Sequence, residues 1–76
     1  MNSAPPALDE ARVIRGLIAE TGTSRNAIAA ALDVSTETLR RRLKAPGSFT
    51  VGELNVVATT LGTTVEDIIR RARPAA

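Results

Sequence analysis

The sequence predicts an all-α protein, a compact five-helix bundle, and three observations predict it. Apolar residues recur at three- and four-residue spacing, and no segment alternates with period two as a half-buried strand would. Ser24, Ser35, Thr50 and Thr64 stand ahead of apolar-periodic segments, Gly62 stands behind one of these and Gly22 behind an earlier one, which is the punctuation of helix starts and stops. Seventy-six residues suffice for one domain at most, and with one Phe and neither Trp nor Tyr its core must be aliphatic.

Residues 1–6, "MNSAPP", read as a flexible tail, because paired prolines cannot enter a helix interior. The folded domain is expected over 7–73, with 74–76 as a second short tail. From about Ala7 to Thr21 the apolar positions Ala11, Ile14, Leu17 and Ile18 form one stripe, stopped by Gly22. Ser24 caps a second helix, "RNAIAAAL", whose Ile28 and Leu32 share a face. "DV" interrupts it, and Ser35 caps a third helix running to about Lys44. "APGS" is turn chemistry. In "FTVGEL", Thr50 and Glu53 form a capping box while Phe49 and Leu54 take the two ends of a hydrophobic staple. That fourth helix turns Leu54, Val57, Ala58 and Leu61 inward and ends at Gly62. Thr64 caps the fifth, with Val65, Ile68 and Ile69 apolar and Arg70 and Arg71 at its negative end.

Composition excludes several classes of function. The chain has no Cys, hence no disulfide, thiolate nucleophile or zinc finger, and no His, the commonest general base and metal ligand. Enzymatic activity, a metal and a cofactor are not expected. The longest uncharged apolar run, Ala27 to Leu32, is far too short for a membrane span or a signal segment, so the default location is the cytoplasm. Net charge is only +2, but it is uneven. Residues 1–24 hold Arg12 and Arg15 against Asp9, Glu10 and Glu20, a net −1. Residues 25–44 hold Arg25, Arg40, Arg41, Arg42 and Lys44 against Asp33 and Glu37, a net +3. In the remainder Arg70, Arg71 and Arg73 balance Glu53, Glu66 and Asp67. A basic patch so localised points to a polyanionic partner.

The patch centres on "STETLRRRLK", residues 35–44. On a helical wheel Leu39 and Leu43 mark the buried side. Glu37, Arg41 and Lys44 lie opposite with Thr38 nearby, and Arg40 and Arg42 flank the leucines. Nine such residues make a rod about 13 Å long, of a girth that fits the major groove of B-DNA, about 12 Å wide. Glu37 and Arg41, at i and i+4, could instead form an ordinary surface ion pair stabilising by a few tenths of a kcal/mol. Three consecutive arginines and a lysine on one short helix weigh toward the polyanion. Two short helices joined by a tight polar turn, "SRNAIAAALDVSTETLRRRL", are the elements of a helix-turn-helix, with small Ala29 where the helices cross.

"SRNAIAAALDVSTETL" followed by "FTVGELNVVATTLGTTVEDII" resembles the lambda-repressor-like, Cro/C1-type (XRE) DNA-binding domains, over about residues 11–69. The second half, with its spacing of cap, Leu, Ala, Leu-Gly and final capped helix, is the more specific part. The resemblance implies that Ser24 and Arg25, opening helix 2, sit on phosphate; the family usually has Gln where Arg25 stands. It places Ser35 on phosphate as well, and Thr36, Glu37 and Arg41 at base-reading positions, with Arg40 beside them. Ser48 and Thr50 would meet phosphate on the far side, and the charge pattern adds Arg42 and Lys44 to the phosphate set. Asp33 stands where the family prefers Gly, and Arg42–Leu43 where it carries an apolar then an acidic residue.

The expected function is therefore a sequence-specific, double-stranded DNA-binding regulator of the Cro or compact phage-repressor kind, acting by occupancy with helix 3 in the major groove. The alternative is an antitoxin-like interaction module whose main partner is another protein. RNA recognition would want aromatic stacking platforms, and the single Phe is spent on the staple. No small-molecule ligand is expected. Weak self-association on DNA is, through helices 4 and 5, where Val56, outward with Gly52, Thr59 and Thr60, and Ile69 are the candidate contacts.

Overall fold

The computed structural model describes residues 8–73; the tails expected at 1–6 and 74–76 lie outside these. Five helices follow one another: α1 (Glu10–Thr21), α2 (Arg25–Leu32), α3 (Thr36–Arg42), α4 (Val51–Leu61) and α5 (Val65–Ala72). The fold is a compact all-α bundle, with no strand among the described residues. α4 is central, packing on α1, α2 and α5; α1 also packs on α5, and α2 on α3. Between them lie Ile14, Ile28, Leu39, Leu43, Val57 and Ile68, all fully buried, with the rest of the aliphatic core around them.

The caps form where the sequence places them. Ser24, Ser35, Thr50 and Thr64 each accept, through the side chain, the backbone N–H three residues on. The Thr50–Glu53 capping box is reciprocal, and Phe49 and Leu54 are both buried beside it. Gly22 and Gly62 end α1 and α4 in the left-handed conformation, φ 74° and 78°. Asp33 does the same for α2 at φ 58°, the one described residue other than glycine with positive φ. Its N–H donates to the Ala30 carbonyl at 3.1 Å, and that of Val34 to Ala29 at 3.0 Å. α2 and α3 are thereby two short helices separated by a short turn, with Ala29 buried as expected.

Three boundaries and faces differ from the sequence reading. α1 starts at Glu10 rather than about Ala7, because Asp9 takes the cap and accepts the Arg12 N–H at 3.2 Å. α3 ends at Arg42, two residues before Lys44. Pro46 disfavours a helical Ala45 and offers no N–H, and the chain tightens instead, Lys44 and Ala45 donating to the carbonyls of Arg41 and Arg42. Val56 is half-buried, whereas Val51 is the conspicuously exposed apolar side chain at 69%. A wheel treats α4 as lying on one neighbour, but three helices cover it. Val51 is the first residue of α4, where no preceding helical turn stands beside it.

Candidate nucleic-acid interface

The predicted DNA-contact residues fall into three groups, at the start of α2, along α3 and in the connection from α3 to α4. At the start of α2, Ser24 is exposed and its Oγ accepts the Ala27 N–H at 3.1 Å. That leaves the hydroxyl hydrogen for another acceptor. Arg25 beside it is exposed and has no ion-pair partner among the described residues.

Along α3, Ser35 Oγ accepts the Thr38 N–H at 3.0 Å and donates to Thr38 Oγ1 at 3.0 Å. Thr36, Glu37, Arg40 and Arg41 are all exposed, while Leu39 and, just past the helix, Leu43 are buried. The ion pair on this face joins Glu37 to Arg40, at 2.5 Å, and not to Arg41. The hydrogen bond from Arg40 and then its charge hold the Glu37 carboxyl below the usual range. Arg41 makes only a long contact, 3.4 Å, to Thr38 Oγ1, so its guanidinium is the least committed on the helix. Lys44 is exposed in the turn after α3.

The third group joins the end of α3 to the start of α4. Arg42, read from sequence as a phosphate ligand, forms a two-pronged pair with Glu53, at 2.8 and 2.9 Å, and lies 5.1 Å from the centroid of the Phe49 ring. Both charged side chains are only about a quarter exposed (26% and 27%). The Arg42 bond, followed by the Thr50 N–H at 2.9 Å, lowers the Glu53 carboxyl's pKa. Ser48 is half-buried and donates to the Ala45 carbonyl at 2.7 Å, while Thr50 is exposed and occupied as the α4 cap. No hydrogen bond or ion pair among the described residues ties Ser24 or Arg25 to α3. Val56 and Ile69 are half-buried on α4 and α5.

Two residues that position the α3–α4 connection were missed by sequence reading. Glu10 is 3% exposed, and its carboxylate accepts the Gly47 N–H at 2.7 Å and the Phe49 N–H at 3.2 Å. It thereby fixes the α3–α4 connection from the first turn of α1. Arg15, one turn on, donates to the Leu43 carbonyl just past the end of α3. Both tethers span more than 25 residues, a separation at which local pattern carries no signal. Asp9, by contrast, had one: an acidic residue directly before an apolar-periodic run.

Chemically, the assembly offers hydroxyls, one loosely held guanidinium, one lysine and one free arginine. Among the described residues no group of His, Cys, Asp or Glu could hold a metal, and no helix is long and apolar enough to cross a membrane. Comparison with protein-family models, with curated proteins and with solved structures gave no match for the chain.

Proposed function

We propose that the protein is a sequence-specific, double-stranded DNA-binding regulator that acts by occupancy, with α3 entering the major groove. The observation that carries this reading is the face of α3. Glu37 and Arg41 lie opposite the buried Leu39, Arg40 flanks it and Thr36 opens the helix, and all four are exposed. α3 is also the second of two short helices joined by a tight left-handed turn. The likeness of the chain to the lambda-repressor-like, Cro/C1-type domains supports the same assignment.

Arg41 is the base-reading residue favoured here, since an uncommitted guanidinium can form the two-pronged contact with guanine O6 and N7. Glu37 and Arg40 reach base edges only after exchanging their mutual bond for contacts to DNA, with Thr36 beside them. Arg25 and Lys44 carry the phosphate electrostatics, and Ser24, Ser35, Ser48 and Thr50 add neutral contacts. In this reading Arg42 is not counted among the phosphate contacts, because its charge is balanced by the two-pronged pair with Glu53.

Gel-shift titration against fragments flanking the protein's own gene tests the proposal. With two phosphate-neutralising cations per protomer, affinity should fall with salt along a log–log slope of about −2. Arg41→Ala should cost about 1–3 kcal/mol and relax preference at one G·C pair, whereas Arg25→Ala should weaken all sequences alike. A salt slope near zero would end the DNA reading. Co-purification of a stable protein partner together with that flat slope would turn the assignment to an antitoxin-like module.

A further inference from the structure

We infer that the outer face of α1 is a self-pairing surface on which a second copy of this chain lies antiparallel, about a two-fold axis through Gly16. The inference stands apart from the DNA reading and is tested on free protein. α1 and α5 leave a groove of about 180 Å³ between them, lined by Arg12, Val13, Gly16, Leu17, Glu20 and Arg71. Its two ends differ in charge. At one end Arg12 donates to the Arg71 carbonyl at 2.9 Å, and both residues line the groove. Asp9 and Asp67 sit against them, and Arg70 leaves that end with an excess of positive charge. At the other end Glu20 is exposed and has no cationic partner among the described residues.

Gly16 lies between, four residues from Arg12 and four from Glu20. Glycine is the poorest helix former after proline. Here neither a left-handed φ nor a crowded neighbour within the chain calls for it, since a Cβ at this position would meet nothing within 4 Å. A missing side chain on an exposed helix face admits another backbone closely.

Residues spaced by four form one ridge of a helix surface, and two such ridges interdigitate in the commonest class of helix crossing. A two-fold rotation about Gly16 sets Arg12 against the partner's Glu20, and Glu20 against the partner's Arg12. The face is thus complementary to itself in charge and open at its centre. One helix crossing buries less than the roughly 1,200 Å² of a stable interface, so the pair is weak and needs high local concentration.

The chain has no cysteine, so Gly16→Cys supplies a single thiol at the axis. At a close crossing, with axes about 8–10 Å apart, the two Cα atoms come within the span of a disulfide. Thr59→Cys, on the exposed side of α4, is the control. Under mild oxidation the covalent dimer should form about tenfold or more faster from Gly16→Cys than from Thr59→Cys. Adding Glu20→Arg should slow it about tenfold, since like charges then meet twice. That variant keeps its fold, because a cation suits the last turn of a helix. Arg12→Glu in the Gly16→Cys background should be equally slow alone. An equimolar mixture of the two slow variants should recover about half of the fast rate, since the mixed encounters, half of the total, then set opposite charges against each other at both contacts. Equal rates at 16 and 59, indifference to Glu20→Arg, or no recovery in the mixture would each overturn the inference. A faster reaction at 59 would move the pairing to α4.

Discussion

Replacing Glu10, a buried carboxylate, should destabilise the domain well beyond the effect of a change at an exposed position. The carboxylate holds two backbone N–H groups of the α3–α4 connection, that of Phe49 in a buried setting and that of Gly47 in a partly buried one. Hydrogen bonds to a charged acceptor contribute about 1.5–3 kcal/mol each. Water can replace the carboxylate at Gly47 but not at Phe49, and removing Glu10 also relieves some desolvation cost. Glu10→Ala should therefore lose about 3 kcal/mol, and Glu10→Gln, which keeps one acceptor but turns an NH₂ toward a donor, about 1.5–2 kcal/mol. A domain of this length has roughly 4–11 kcal/mol in total, so the alanine variant would forfeit a large share. Urea denaturation should show a lower midpoint at unchanged slope, and in hydrogen exchange the Gly47 and Phe49 amides should lose protection in Glu10→Gln before the α4 core does. Glu20→Gln, at an exposed position on the same helix, is the control and should stay within about 0.5 kcal/mol. If both Glu10 variants also stayed within that margin, the loop would be held by its apolar contacts alone.

Other expectations follow from single interactions. A double-mutant cycle on Arg42→Ala and Glu53→Ala should give a coupling of about 1–2 kcal/mol, between the values for exposed and fully buried pairs; Arg42→Ala should leave the salt slope of DNA binding unchanged, and a slope shallower by about one would return Arg42 to the phosphate set. Asp33→Gly should raise stability by about 0.5–1 kcal/mol, because Asp33 occupies a left-handed φ of 58°; a loss on thermal melting would show that its side chain contributes at the turn. The carboxyls of Glu37, Glu53 and Asp67 all have lowered pKa values, through hydrogen bonds from Arg40, Arg42 and Thr63 respectively in first place. Their stabilisation is complete above the unfolded carboxylate range, about pH 4, and disappears as pH falls through the folded values. Melting temperature should therefore drop in acid, and less so in Glu53→Gln; identical acid limbs in the two proteins would contradict the Arg42–Glu53 assignment.

The legible parts of this chain are those governed by neighbours in sequence. Caps at Ser24, Ser35, Thr50 and Thr64 act over three residues, and the stripes on α1, α2 and α4 repeat within two turns, so both appear in the linear pattern. The site is legible to the same depth. Glu37 and Arg41 are placed opposite Leu39 and Leu43 by the wheel, with Arg40 at the flank, and all three are exposed. What escaped were interactions between helices. The wheel gave Arg42 a flank position but could not show that Glu53, eleven residues on, is already a capping residue with one more bond to accept. It paired Glu37 with Arg41 by spacing, although Arg40, at i+3, takes the carboxylate. Glu10 shows the limit most clearly, since a glutamate near the start of an amphipathic helix reads as solvated, and only the fold returns two N–H groups to it.

Those long-range tethers bear directly on the proposed interface. α3 packs chiefly on α2, and it spans only seven residues with a single buried leucine of its own. Its far end is held by polar contacts from three directions: Arg15 on the Leu43 carbonyl, Glu53 on Arg42, and Glu10 on the loop that follows. Each contact comes from outside the residues proposed to touch DNA. A base-reading side chain must be placed to within a fraction of an ångström, whereas phosphate attraction tolerates larger shifts. Changes at Arg15, Glu10 or Glu53 should accordingly erode the preference among DNA sequences sooner than they erode affinity for DNA as such. The cationic face is written in α3, but its aim is set by α1 and α4.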